Sequence, residues 1–209
     1  MGISVTIILV IITCLISYQC FNNQQLFYRL SHWPIREHRH QEYYRFVSSG
    51  FVHGGWMHLL INMFVLWNFG EIVERYFQAF FGEVMGLVLY VLVYIAIIVL
   101  ASVSTFIKKK NNENYMAVGA SGGVSGIVFI FILFYPWEPL YLYGIIPIPG
   151  IIAGVLYLAY SSYAGKNVKD RIDHDAHFYG ALVGVLLMIL LKPSVFTEFL
   201  HKLVADFPL

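Results

Sequence analysis

Charged residues leave six long uncharged intervals in this chain, and that spacing constrains its fold more than any other feature. A helix needs about 20 apolar residues to cross a bilayer, and a formal charge inside such a stretch is costly. The intervals cover residues 1–28 (apolar core 3–18), 46–70, 84–107, 114–137, 139–165 and 176–191. Backbone polar groups in lipid must find partners within the protein, so six such intervals predict an all-α membrane protein. The expected form is a bundle of six transmembrane helices around a water-accessible polar cavity, with both termini on one side. The first half of the fourth interval is rich in Gly and Ser, and the fifth is expected to turn helical after Pro149.

Composition agrees with insertion in a membrane. Hydrophobic residues make up 59% of the 209 and charged residues 12%, which argues against a disordered tail or an ordinary soluble domain. Thirteen basic against twelve acidic residues leave a net charge of +1, too little to favour nucleic acid as a partner. Cys14 and Cys20 cannot make a disulfide framework or a four-thiolate metal site, so packing is their expected role. Residues 1–18 lack a basic stretch before the apolar run and a small-residue cleavage site after Leu15, and are read as a retained span. Residues 1–192 are taken as one membrane domain. In 193–209, Val195, Phe196, Phe199, Leu200, Leu203 and Val204 recur at helical spacing, as in a short interfacial segment.

Polar residues inside apolar intervals usually face a cavity or a partner, because burying them unpaired costs free energy. Three clusters stand out. His53, His58 and Asn62 lie at the head of the second interval, with His58 and Asn62 one turn apart on one helix face. Gly119-Ala120-Ser121-Gly122-Gly123-Val124-Ser125-Gly126 opens the fourth span, and Asp173-His174-Asp175-Ala176-His177 opens the sixth. Clusters heading spans two, four and six share one side of the membrane and can converge. The GxxxG pairs among Gly119, Gly122, Gly123 and Gly126, and between Gly180 and Gly184, also suit close helix packing without any chemistry.

This set of residues can perform acyl transfer. His177 can take the proton of a serine hydroxyl, since an unperturbed imidazole titrates near pH 6.5. Ser121 is the better nucleophile: at the start of a helix, unpaired N–H groups favour the negative charge of a tetrahedral intermediate. His58 and Asn62 can add donors to that oxyanion hole. Asp175 is about 200° around the helix from His177, and Asp173 is a turn nearer water, so a Ser-His dyad is expected. Such chemistry needs neither metal nor cofactor.

The spacing His53, His58, Asn62 (HxxxxHxxxN), the run Gly119-Ala120-Ser121-Gly122 (GxSG) and Ala176-His177 with Gly180 and Gly184 (AHxxGxxxG) resemble the rhomboid family of intramembrane serine proteases. The resemblance implies a rhomboid-like fold that cuts transmembrane protein substrates within the lipid bilayer. It implies Ser121 as nucleophile, His177 as general base, and His58, Asn62 and the Ser121 region lining the oxyanion hole. His53, Gly119 and Gly122 are then supporting residues, and so are Tyr44 and Arg45, which resemble the family's Trp-Arg pair in a long first loop. Gly70 with Glu74 and Arg75 resembles a further signature, more structural than catalytic. Ser125 departs from the pattern, because many relatives carry there an aromatic that packs on the catalytic histidine. Its hydroxyl is expected to bond to His177 or to a cavity water.

The resemblance also implies a multi-pass protein of a plasma or inner membrane with its active site toward the extracytoplasmic side. The basic residues disagree. Arg29, Arg36, Arg39, Arg45, Lys108, Lys109, Lys110, Lys166, Lys169 and Arg171 fall on the active-site side, against Arg75, Lys192 and Lys202 opposite, which by the positive-inside rule would turn the site to the cytoplasm. The rival chemistries are a metal centre of His53, His58, His174 and His177 with Asp175, and a non-proteolytic rhomboid-like protein that binds transmembrane helices without cutting. A substrate helix must unwind to expose its carbonyls. The gate is expected in residues 144–150 or in the span that follows. Oligomeric state leaves no trace in the sequence.

Overall fold

The computed structural model describes residues 4–142, 144–168, 170 and 172–207; Lys169 and Arg171, counted above among the basic loop residues, lie outside the described residues. The chain begins with α1 (Val5–Asn22), followed by a long loop that carries α2 (Gln24–Leu30), α3 (Pro34–His40), α4 (Arg45–Ser48) and a 3-10 turn at Ser49–Phe51. Next come α5 (Trp56–Phe81), α6 (Glu83–Lys109) and α7 (Ser121–Phe134). A hairpin of β1 (Pro139–Leu142) and β2 (Ile146–Pro149) leads to α8 (Gly150–Asn167), α9 (His174–Leu191) and α10 (Ser194–Ala205). The helices α1, α5, α6, α7, α8 and α9 correspond to the six uncharged intervals. Four of them, α1, α5, α6 and α9, are long and apolar enough to cross a membrane.

The short helix α7 is the axis of the bundle. Its 14 residues span about 21 Å at 1.5 Å each, less than the roughly 30 Å of a bilayer's hydrocarbon core. Twelve of them, all but Ser121 and Val128, are buried among α5, α6 and α9. Small residues permit that crowding. A Cβ on Gly180 would collide with the Gly122 carbonyl oxygen, and one on Gly184 would stand 2.6 Å from the Gly126 Cα. Gly122 and Gly126 thus interlock with Gly180 and Gly184. Gly123 instead faces α6, where a Cβ would meet Ile98 and Tyr94 at 2.7 and 2.8 Å.

The opposite ends of the spans are tied by polar side chains. Glu74 on α5 accepts hydrogen bonds from the N–H groups of Val5 and Thr6 (3.1 and 2.8 Å) and from the Thr6 hydroxyl (2.7 Å), placing its carboxylate at the positive end of α1. Lys202 on α10 donates to the Phe134 carbonyl (2.7 Å), one of the unpaired carbonyls that end α7. The fifth interval is helical from Gly150, while its first part forms the hairpin. Pro139, Pro147 and Pro149 cannot propagate a helix, and Gly144 turns the chain with φ +73°.

Because the α7–α9 contact is backbone against backbone, Gly180→Ala should lower stability in detergent by about 3 kcal/mol or more, the upper end for overpacking. Gly165→Ala, whose Cβ would find its nearest atom at an ordinary 3.4 Å, serves as the neutral control. Thermal unfolding of both purified variants checks the difference.

Candidate active site

The segment before α7 descends to the start of that short helix without regular structure, and the first loop supplies its hydrogen bonds. His32 and Ala117 exchange two backbone bonds of 3.0 Å, and the Gly119 N–H donates to the Ser49 carbonyl at 3.0 Å. The Ala120 N–H donates to His53 Nε2 at 3.3 Å. That ring nitrogen is therefore an acceptor, so Nδ1 carries the proton and donates to Ser17 Oγ (3.0 Å), which donates in turn to the Phe51 carbonyl (3.0 Å). His53 is fully buried and precedes α5, joining α1, the first loop and the entry to α7.

Ser121 opens α7 and His177 lies in the first turn of α9. The glycine packing of those helices brings Ser121 Oγ to 2.7 Å from His177 Nε2. The first intrahelical bond of α7 runs from the Val124 N–H to the Ala120 carbonyl (2.9 Å), so the N–H groups of Ser121, Gly122 and Gly123 lack intrahelical acceptors. Gly119, at φ +134°, passes so close to His58 that a Cβ would meet its Cε1 and Nε2 at 2.7 and 2.8 Å, with Ser121 Oγ 3.6 Å away. A side chain at this position would therefore fill the space between His58 and Ser121. Asn62 Nδ2 donates one hydrogen to the His58 carbonyl (2.9 Å) and has a second to offer the cavity it lines.

The acidic neighbours are engaged elsewhere. Asp173 caps α9, accepting from the Ala176 N–H (3.0 Å) and the Thr105 hydroxyl (2.8 Å), and Asp175 pairs with Lys108 (2.8 Å). His174 Nε2 lies 3.1 Å from Asp170 Oδ2. His53, His174, His177 and Asp175, considered with His58 as a metal centre, are thus held by different partners, and no group of three such ligands is assembled among the described residues.

Ser125 departs from its expected contacts, because its hydroxyl stands 2.5 Å from the Tyr157 hydroxyl of α8. Tyr157 in turn stacks on His177, with ring centroids 6.2 Å apart and planes 20° from parallel. Tyr157 is not among the residues that motif and spacing single out. Its signal was the inward face of α8, where Gly154, Ser161 and Ala164 are buried at helical spacing from it.

Tyr44 and Arg45 belong to the first loop. Arg45 is buried, donates to the carbonyls of Tyr28 (2.7 Å) and Ser31 (2.9 Å), and pairs with Glu42. Its guanidinium lies 5.3 Å from the Tyr44 ring, whose hydroxyl donates to the Arg29 carbonyl at 3.1 Å. Glu42 also takes a two-pronged contact from Arg36, with a shortest distance of 2.7 Å. Bonding to Arg36 first, and then to Arg45, holds the Glu42 carboxyl down at about 2, against an ordinary 4.5.

Ser121, His177, His58 and Asn62 all face one cavity of about 1710 Å³. It extends between α5 and α8, where Met57, Ile61 and Val65 oppose Ala153, Leu156 and Tyr157. Helix α8 packs chiefly on α9, and the exposed apolar faces of α5 and α8 (Phe64 and Trp67, Val155 and Tyr163) turn toward lipid.

Fold and site together define an integral membrane protein in which a serine–histidine contact lies at a cavity inside an apolar bundle. The Rhomboid domain model matches residues 40–194, and the chain belongs to the rhomboid family. Among its relatives, Rhomboid-like protein 11, chloroplastic, of Arabidopsis thaliana is 32% identical over 165 residues, covering 74% of this chain and 55% of that one. RHOMBOID-like protein 12, mitochondrial, of the same plant is 27% identical over 149 residues (67% and 44%). Rhomboid protease GlpG of Haemophilus influenzae is 31% identical over 100 residues (48% and 44%). The chain thus spans about half the length of these curated relatives. Their names include chloroplast and mitochondrion, so the likeness carries insertion in a membrane and selects no particular one.

The depressed Glu42 carboxyl has a defined sign. Unfolded chains bind its proton more readily, so the stability it contributes is present above pH 4.5 and lost as pH falls through about 2. The melting temperature of Glu42→Gln should lie below that of the parent at neutral pH, and the gap should close across that window. Melting curves of the two proteins in detergent measure it.

Proposed function

We propose that the chain is an intramembrane serine endopeptidase that hydrolyses peptide bonds in or near transmembrane segments of membrane proteins. The 2.7 Å contact between Ser121 Oγ and His177 Nε2, at the wall of a cavity that His58 and Asn62 also line inside an apolar bundle, carries this reading. His177 Nε2 accepts the Ser121 proton as Oγ attacks the scissile carbonyl carbon, and the carbonyl oxygen becomes an anion. The Ser121 N–H, the free hydrogen of Asn62 Nδ2 and the His58 ring are the donors for that oxygen. His177 then passes its proton to the departing amide nitrogen as the C–N bond breaks, leaving an acyl-serine. Water loses a proton to His177, attacks the acyl carbon and releases the carboxyl product, and the proton returns to Ser121.

The slot between α5 and α8 gives a membrane helix a lateral way to the dyad, and α8, held mainly by α9, is the better gate. Of residues 144–150, all but Gly150, which opens α8, belong to the hairpin joining α7 to α8. Substrates with helix-breaking or small residues near the membrane boundary fit a site that must meet an unwound chain.

The active site is read as opening to the extracytoplasmic side or its equivalent in an organelle. Of the ten basic residues that argue otherwise, four pair with carboxylates on their own side: Arg36 and Arg45 with Glu42, Arg39 with Glu113, and Lys108 with Asp175.

Ser121→Ala and His177→Ala should each abolish cleavage of a reconstituted transmembrane substrate and labelling by a serine-reactive phosphonate, with little further loss in the double variant. Asn62→Ala should lower kcat by about one to three orders of magnitude with KM little changed. Two single-variant losses that multiply in the double variant would refute the dyad.

In intact cells, a single cysteine at Lys109 of a cysteine-free protein should react with an impermeant maleimide, and one at Lys202 should not. The reverse pattern would turn the site to the cytoplasm.

A further inference from the structure

His177 is bonded to Ser121 through Nε2 alone; among the described residues no side chain or backbone group bonds Nδ1. A ring held by a single hydrogen bond can pivot about it, and each pivot misaligns the acceptor nitrogen with the serine proton. Tyr157 removes that freedom. Its ring lies nearly parallel to the imidazole, in the offset arrangement that aromatic pairs favour. The Tyr157 ring is itself held, because its hydroxyl is 2.5 Å from Ser125 Oγ, one turn past Ser121 on the same helix. Nucleophile and anchor therefore ride on α7, the base on α9, and the ring that orients the base on α8.

We infer that Tyr157 is a positioning residue for His177, steered by its hydrogen bond to Ser125, so that the orientation of the base depends on where α8 stands. The inference rests on the serine-protease reading above. Its physical content is that α8 both borders the lateral slot and carries the support of the base. With Tyr157 seated against Ser125, the imidazole is held on Ser121; any outward displacement of α8 carries the ring away.

The test uses the full-length protein in detergent or liposomes, with a transmembrane substrate, a serine-reactive phosphonate and histidine-selective isotope labelling. Tyr157→Leu keeps apolar bulk and removes the stacked ring. It should lower kcat and the labelling rate about three- to tenfold, which is about 0.6 to 1.4 kcal/mol at 1.36 kcal/mol per factor of ten, with KM within about twofold. That range is what an aromatic pair is worth. Tyr157→Phe keeps the ring without its hydrogen bond and should lose less. Ser125→Tyr alone puts a second ring where Tyr157 already sits and should lower activity. The exchange Ser125→Tyr with Tyr157→Ser, which mounts the ring on α7, should restore kcat to within about threefold of the parent. The His177 resonance, assigned through His177→Asn, should shift in Tyr157→Leu and move back in the exchange.

If Tyr157→Leu keeps kcat within twofold of the parent, or loses activity that the exchange does not restore, the inference is overturned. If the parent itself neither cleaves nor labels at Ser121, the protease reading fails instead, and the resonance decides the positioning role without turnover: a His177 signal indifferent to Tyr157 overturns it. A variant that does not fold is identified by its melting curve, and the comparison then rests on Tyr157→Phe and the exchange.

Discussion

The constraint on which the rest of this protein depends is that backbone at membrane depth must find hydrogen-bond partners. Ser121 heads a 14-residue helix too short to cross a bilayer's hydrocarbon core, so the segment leading to it, residues 115–120, cannot be left to lipid. The long first loop answers this requirement. His32, Ser49 and His53 bond the peptide groups of Ala117, Gly119 and Ala120. The buried Arg45 holds that loop in shape through carbonyls at Tyr28 and Ser31 and the Glu42 carboxylate. Features that look peripheral, such as a loop carrying three short helices and a histidine without a direct bond to the serine–histidine pair, follow from where α7 begins.

The second consequence of a short central helix is crowding. In lipid no hydrophobic driving force distinguishes helix–helix from helix–lipid contact, so association relies on close approach and polar contacts. Gly122 and Gly126 against Gly180 and Gly184 provide that approach, and Ser121 and His177 sit one residue before Gly122 and three before Gly180. Packing and chemistry share the same turns of helix. The alternative reading of the glycines, as packing alone, is therefore correct for their contacts and incomplete for their effect, since the 2.7 Å contact between Ser121 and His177 exists only because the backbones touch.

Tyr157 illustrates how a missing group can be supplied from elsewhere. A serine stands at position 125, and the ring over the imidazole comes from α8, with the serine hydroxyl fastening it. The volume and the hydrogen bond are complementary: a larger side chain at 125 would exclude Tyr157, and an aliphatic one would leave its hydroxyl without this partner. Helix α8 packs chiefly on α9.

Much of this was legible in the sequence by itself. The charge-free intervals disclosed six helices because charge in lipid is costly, with close bounds for α6 and α9, whereas α5 (Trp56–Phe81) is shifted from 46–70 and α7 (Ser121–Phe134) fills only part of 114–137. The polar clusters at the heads of spans two, four and six disclosed the site, because the even spans run in the same direction. Helical phase excluded Asp175 as a partner of His177, and it pairs with Lys108 instead. Other features were decided only in three dimensions. Prolines could say that residues 139–149 were not helix, but not that they pair as a hairpin. His53 showed no local mark of its bond to the Ala120 N–H, 67 residues away. Tyr157 was one aromatic among many on an apolar span, and its meaning depended on the rotation of α8 against α7 and α9. Periodicity and charge are local, and a sequence displays them directly; contacts between side chains on separate helices depend on how deep each helix starts and how closely the backbones approach, which only the packed tertiary structure decides.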